Sequence, residues 1–246
     1  KLMLENFTPT VPVLKSETIN VRVLESAGLK KDNCEAIVAL LDDEALNLKI
    51  TLITKTLNKN AKLAVKSTTT NQTENLVDLD ADIIVNPFSI ISSEINVALT
   101  APNIFKLEKW LYKVDDLGAS LRIFPKGLYI ICGYGRMGQK IFEKLDKNNI
   151  EVKFIEIDPE KRKQLSKDEK NYVVFGDADD RDFLLEVGLM DAVAIVAVTN
   201  DDTTNLSILA TAKKLNPNIM TMARENDLAD DFLFRSANVN HIFTPS

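Results

Sequence analysis

From residue 127 onward, short apolar runs alternate with longer stretches whose apolar residues recur at helical spacing. Gly127–Cys132, Val152–Ile157, Tyr172–Phe175, Ala192–Val198, Ile219–Ala223 and His241–Phe243 read as buried strands. Gly138–Asn148 carries Ile141, Phe142 and Leu145 at helical spacing and reads as a helix, as do Asp180–Val187, Thr203–Leu215 and Ala229–Ala237. Parallel neighbours need a crossover, so this alternation implies a parallel sheet with helices between its strands. The expected fold class is α/β, a Rossmann-like doubly wound parallel sheet.

The same order recurs earlier in the chain. Leu57–Lys66 (LNKNAKLAVK) aligns with Leu215–Arg224 (LNPNIMTMAR) at an offset of 158 residues. Without a gap, that offset carries Asn47-Leu48 onto Asn205-Leu206 and Ile84–Pro87 onto Ile242–Pro245. Ala27–Leu29 matches Val187–Leu189 at an offset of 160, which places a two-residue insertion near Lys31-Asp32 in the first copy. A register sustained over about 40 residues marks two tandem copies of one unit. The boundary is expected near Leu117–Lys126, giving domains 1–124 and 125–246. The counterpart of Tyr172–Phe175 falls on Pro12–Lys15, so the first copy lacks its glycine-loop portion.

Between the copies, Ser89–Thr100 and Ile104–Val114 read as two helices around an Ala101-Pro102-Asn103 break. Ile90, Ile91, Ile95 and Leu99 line the first, and Phe105, Leu107, Trp110, Leu111 and Tyr112 the second. This pair, residues 89–114, is either a linker packed over the sheet edge or an arm that docks onto a second copy of the domain.

Composition narrows the function. The 246 residues are 45% hydrophobic and 27% charged with a net charge of −6, which argues against a nucleic-acid binder built on basic surface. Two cysteines and one histidine exclude a disulfide scaffold, a four-cysteine zinc site and a histidine-rich metal centre. No apolar run reaches the roughly 20 residues that span a bilayer, so the chain is expected to be soluble and cytosolic.

Gly133-Tyr134-Gly135-Arg136-Met137-Gly138 is a G-x-G-x-x-G directly after a strand and at the start of a helix. In that context the first glycine serves the tight turn, the second admits a phosphate, and the third lets helix and strand pack closely. Unpaired amides at the helix start then face the anion. Eighteen residues after Gly138, Glu156 ends the second strand, with Ile157 and Asp158 following. A carboxylate there accepts from ribose hydroxyls and repels a 2′-phosphate, favouring NAD or an adenosine nucleotide over NADP. Glu156 is the first choice by spacing; Asp158, ahead of Pro159, is the second choice, and otherwise begins the following turn or caps the helix. Asp177 and Ala178 close the third strand, where Asp177 either binds an exocyclic amine or caps the next helix. Thr199 and Asn200 close the fourth strand and Arg224 the fifth. Arg136 and Arg224 together suit a ligand with more than one phosphate, unless Arg224 pairs with Glu225, Asp227 or another carboxylate.

No catalytic residue is expected. A hydride-transferring enzyme usually brings an acid or base and a substrate domain. His241 matches Ile83 of the first copy and reads as structural, while Cys132 lies within a buried strand.

Taken together, Ile131–Gly138, Glu156–Asp158, Gly176–Ala178, Thr199–Leu206 and Ala223-Arg224 resemble the RCK (regulator of K⁺ conductance, or KTN) domain of prokaryotic potassium channels and Trk/Ktr uptake systems. The resemblance covers nearly all of residues 125–246, and Leu41–Glu44, Asn47-Leu48 and Val85–Pro87 extend it to a degraded first copy. It implies a regulatory module on the cytoplasmic side of the membrane that binds NAD(H), ATP, ADP or AMP. It further implies a potassium pore as partner, in the same gene product or as a separate subunit. It also implies that the helix pair at 89–114 is the arm through which two copies interlock as a dimer, and that such dimers build a tetrameric or octameric ring. In the first copy Ser16-Glu17-Thr18 replaces Gly176-Asp177-Ala178, and no nucleotide is expected there. A small NAD-dependent oxidoreductase and a ligand-free scaffold are the alternatives.

Overall fold

The computed structural model of the chain describes residues 12–105, 107, 125–145 and 150–244. They fall into two compact units divided between Asn86 and Pro87.

The first unit runs α1 (Val21–Ala27), β1 (Ala36–Ala39), α2 (Glu44–Leu57), β2 (Lys62–Lys66), α3 (Thr70–Asp78) and β3 (Ile83–Val85). Its strands are parallel in the order β1-β2-β3. Asn20, Asp43 and Thr69 start the three helices, each side chain accepting from a first-turn amide. Ala39, Ile50, Leu63, Val65 and Leu76 form the core. Residues 12–15, the counterpart of a strand in the second copy, form none.

In the second unit, α4 (Pro87–Thr100) precedes β4 (Leu128–Cys132), α5 (Arg136–Lys144), β5 (Glu151–Glu156) and β6 (Val173–Phe175). Then come α6 (Arg181–Val187), β7 (Ala192–Ala197), α7 (Asp202–Leu215), β8 (Met220–Arg224), α8 (Asp231–Ser236) and β9 (His241–Phe243). The six strands are parallel in the order β6-β5-β4-β7-β8-β9. Central β4 is buried throughout, and its side chains divide by parity. Tyr129 and Ile131 join the cluster beneath α4 and α5, whereas Leu128, Ile130 and Cys132 join that beneath α6, α7 and α8. The sheet is therefore doubly wound, and its order reverses between β4 and β7.

The repeat holds at the level of register. Ala36 faces Lys62 as Ala194 faces Met220, and Ala64 faces Ile83 as Met222 faces His241, each pair displaced by 158. Val38 is 63% exposed, while its counterpart Val196 is fully buried in the cluster with α4 and α5.

Three elements differ from the sequence reading. The helix expected at Ser89 begins at Pro87, since proline's fixed φ suits a first helical position. Although the expected boundary puts α4 in the first domain, its Phe88, Ile91, Ile95 and Ala98 pack with Tyr129, Ile131, Met137 and Ile141 of the second unit. The stretch at Ala229–Ala237 divides into a 3₁₀ turn, Leu228–Asp230, and α8. Residues 102–105 are helical, but most of the helix expected at Ile104–Val114 lies outside the described residues, as does residue range 117–124 of the expected boundary.

Candidate functional site

The glycine loop leaves β4 at the point where the strand order reverses, beside the end of β7. Ligands of open α/β sheets bind in such a crevice. Gly133 takes φ +107°, donates its amide to Ile155 O at 2.8 Å, and lies so close that a Cβ would come 3.2 Å from Thr199 N. A Cβ on Gly138 would stand 2.1 Å from Gly133 O, so only glycine lets α5 start this close to the turn. At Gly135 a Cβ would meet nothing within 4 Å. Gly135 is the N-cap of α5 and offers no side chain to its first-turn amides, whereas Asp180 and Asp201 cap α6 and α7. Open space thus lies over the positive end of α5.

Tyr134 and Met137, the other loop residues, turn inward. The Tyr134 ring is fully buried, edge-on to Phe142 and Phe154, and its hydroxyl donates to Glu169 Oε1 at 2.7 Å. Burial and that carboxylate push its phenol above the ordinary value. Both side chains anchor the loop from beneath, so only their backbone borders the crevice.

Two arginines flank the loop. Arg136, the first residue of α5, is exposed, and its guanidinium lies 4.7 Å from the Phe88 ring centroid. Arg224, at the end of β8, lies 4.9 Å from the same centroid instead of pairing with Glu225 or Asp227. Its Nε is buried and has no hydrogen-bond partner among the described residues. Burial lowers the Arg224 pKa, Asp202 opposes that shift, and the like charge of Arg136 adds to it.

Of the two carboxylates weighed for the ribose, Glu156 is buried at the end of β5 and Asp158 is exposed. Glu156 accepts from Asp158 N at 3.0 Å and from the Lys161 ammonium at 2.7 Å. Asp158 caps the next 3₁₀ turn through Glu160 N, and Ile157 between them is exposed. Asp177 accepts from Asp179 N within its own turn, Asp180 caps α6, and Ala178 is buried. Thr199 is tied down, its amide donating to Asn205 Oδ1 at 3.0 Å and its hydroxyl lying 2.8 Å from the same oxygen. Asn200 is exposed beside it.

Several residues of this edge escaped the sequence reading. Asn205 is fully buried; besides holding Thr199 N it donates to Thr199 O and Arg224 O, tying the ends of β7 and β8 together. Asp202 accepts from the amides of Asn226 and Asp227 and from the Asn226 side chain. The offset of 158 carried the signal. Asn47 bonds Leu41 N, Leu41 O and Lys66 O in the first unit, which has no glycine loop among its described residues. An asparagine doing the same work in both units is a strut of the fold. Phe88 gave no signal in the sequence, because a fold contact brings it to the site, whereas Lys161 reaches Glu156 locally, across the turn that follows β5.

Cys132 is buried and its thiol is pushed up by desolvation, which disfavours the thiolate. His241 packs edge-on between Phe105 and Phe243, with centroids 5.0 and 4.9 Å away. Among the described residues no group of three or more His, Cys, Asp or Glu could hold a metal ion, and no helix is long and apolar enough to cross a membrane.

Known proteins agree with this architecture. Potassium channel protein 1 of Methanocaldococcus jannaschii is 39% identical over 121 residues, 49% of this chain and 34% of the relative. The Trk system potassium uptake protein TrkA homolog of Pyrococcus horikoshii is 35% identical over 98 residues, 40% of this chain and 43% of the relative. The chain thus spans less than half the length of either. Among solved structures, the GsuK channel bound to ADP superposes with a TM-score of 0.67 at 20% identity, over 92% of this chain and 52% of that one. That likeness shows the fold, Rossmann-like units in tandem. The TrkA-N domain model matches residues 4–87 and 129–245, most of the chain and both copies of the repeat, and the chain belongs to the TrkA-N domain family.

Proposed function

We propose that the second unit binds an adenine nucleotide, NAD(H) or one of ATP, ADP and AMP, and that binding regulates a potassium channel or transporter. The observation that carries this reading is the open space over Gly135. The uncapped start of α5 borders it, with Arg136 and Arg224 beside it. An orphaned, buried guanidinium nitrogen next to an anion cradle fits a phosphorylated ligand. In this reading the amides of Gly135, Arg136 and Met137 hold phosphate while Glu156 receives ribose hydroxyls. Asp177, Ala178, Thr199 and Asn200 border the remaining crevice.

Relatives named as potassium channel and Trk uptake proteins support the regulatory role, and GsuK structures bound to ADP and to NAD support the ligand class. We read the module as a sensor without chemistry of its own, acting on the cytoplasmic side of a membrane as a homo-oligomer beside a pore. A ligand then acts by its differential affinity for two arrangements of the module. The domain division at 124/125 belongs to the same proposal, with α4 serving the nucleotide unit.

Calorimetric titration with NAD⁺, NADH, ATP, ADP and AMP tests it, with Gly135→Asp as comparison. One or more nucleotides should bind the parent chain, and a carboxylate in the cradle should abolish that binding. A parent chain that binds none overturns the reading.

A further inference from the structure

One aromatic ring lies against both cations of the phosphate site, and it belongs neither to the glycine loop nor to a strand end. Phe88 is the second residue of α4, is 6% exposed, and has the Arg136 and Arg224 guanidinium carbons at 4.7 and 4.9 Å from its centroid. We propose that Phe88 is a positioning residue of the site. It holds Arg136 and Arg224 as a pair beside the glycine loop, so that the number of phosphates on the ligand is coupled to the docking of α4.

The physical basis is the difference between the face and the edge of a guanidinium. Stacking on a ring uses the face, whereas all five N–H donors lie in the plane and point outward. The Arg224 Nε, buried and without a partner among the described residues, is the donor that this ring contact leaves to a phosphate. Two like charges near one ring repel each other, and Arg136 indeed works against the protonated state of Arg224. The negative faces of the ring offset part of that repulsion, and a polyanion bound between the two cations removes the rest. Binding then tightens the whole Phe88–arginine cluster. By linkage, whatever docks Phe88 raises affinity for the polyanion by the same factor.

The remainder of α4 is attached to the same helix of the site. Lys144, in the last turn of α5, donates to Ser89 O at 2.7 Å, Ser89 Oγ at 2.9 Å and Ser93 Oγ at 2.5 Å. Ile91, Ile95 and Ala98 share a buried cluster with Met137, Ile141 and Phe142 of α5. Thus the first two turns of α4 engage both ends of α5, Phe88 meeting Arg136 at its start and Ser89 and Ser93 meeting Lys144 at its end. Adenosine lacks phosphate and cannot engage the arginines, so it should leave α4 unaffected.

The inference rests on the nucleotide reading, and one experiment separates the two. ADP, AMP and adenosine are titrated calorimetrically into the parent chain, Phe88→Leu and Phe88→Tyr, with amide hydrogen exchange of residues 87–100 followed in each state. Two cation–π contacts of about 1 kcal/mol each bound the loss in ADP affinity for Phe88→Leu at roughly 30-fold, and the part of them that tightens on binding sets where below that bound it falls. AMP should lose less, adenosine nothing, and Phe88→Tyr should restore ADP binding. In the parent chain ADP should slow exchange in α4 and adenosine should not. A parent chain that binds no nucleotide overturns both readings. Parent binding with an unchanged ADP-to-AMP ratio in Phe88→Leu overturns the Phe88 proposal alone. Should Phe88→Leu not fold, the parent exchange measurement decides: α4 amides indifferent to ADP refute the coupling.

Discussion

Two glycines three residues apart in the same loop should respond to the same substitution in opposite ways. An alanine Cβ at Gly138 would lie 2.1 Å from Gly133 O, about 1 Å inside a tolerable contact, and 3.1 Å from Gly133 C. Both are backbone atoms of the turn and cannot rotate aside. To make room, α5 must back away from β4 by about 1 Å, or the turn must give up the 2.8 Å bond from Gly133 N to Ile155 O. Core overpacking costs about 1–3 kcal/mol, and with backbone on both sides of the clash we expect Gly138→Ala to lose about 3 kcal/mol. Gly135 differs in each respect. Its φ of −76° and ψ of −159° are open to alanine, and its Cβ would meet nothing within 4 Å. The poorer capping by alanine, under about 1 kcal/mol, is offset by the lower entropy of the unfolded chain. Gly135→Ala should therefore unfold in urea within about 0.5 kcal/mol of the parent. Its methyl group projects into the space assigned to phosphate, so ADP binding should weaken at least tenfold. Equilibrium urea unfolding and calorimetry on both variants check this. Equal stability of the parent and Gly138→Ala, or undiminished ADP affinity in Gly135→Ala, would refute the assignment of roles in this loop.

Asn205→Ala removes the acceptor for Thr199 N and the donor to Thr199 O and Arg224 O, all at a buried position; it should cost about 2–4 kcal/mol in urea unfolding. Asn47→Ala should cost a similar amount, because it cuts the same three bonds in the first unit. Burial raises the Glu225 carboxyl above its ordinary value; Thr244 opposes the shift, while Asp231 and Asp202 add to it. The folded state thus binds the proton more tightly than the unfolded chain, and stability falls as pH rises through the raised pKa. Glu225→Gln should accordingly melt higher than the parent at about pH 8, with the gap closing towards about pH 4; a gap that grows on acidification would contradict this. Lys161 partly neutralises Glu156, so Lys161→Ala should raise the preference for NAD⁺ over NADP⁺, measured by competitive titration.

Much of this protein follows from local chemistry and is legible in its residues. The strands of the second unit appear because six apolar runs have helical periods in four of the five gaps between them, and short-range preferences fix both. The glycine loop is legible for the same reason, since turn, approach and packing are demands made within six residues. The repeat is legible because one fold imposes one spacing twice, down to matching registers and the paired struts Asn47 and Asn205.

The tertiary structure decided what depends on partners distant in sequence. Periodicity shows that Pro87–Thr100 is a helix with an apolar face, but not which sheet that face covers; burial against Tyr129, Ile131 and Ile141 settles that. Likewise Arg224, expected to bind phosphate or pair with a carboxylate, lies on a ring 136 residues earlier in the chain. Tyr134 sits inside the motif, yet its ring turns into the core. Hydrophobic attraction has no direction and no sequence range, so the composition of a segment states that it must be buried and leaves its partner to the fold.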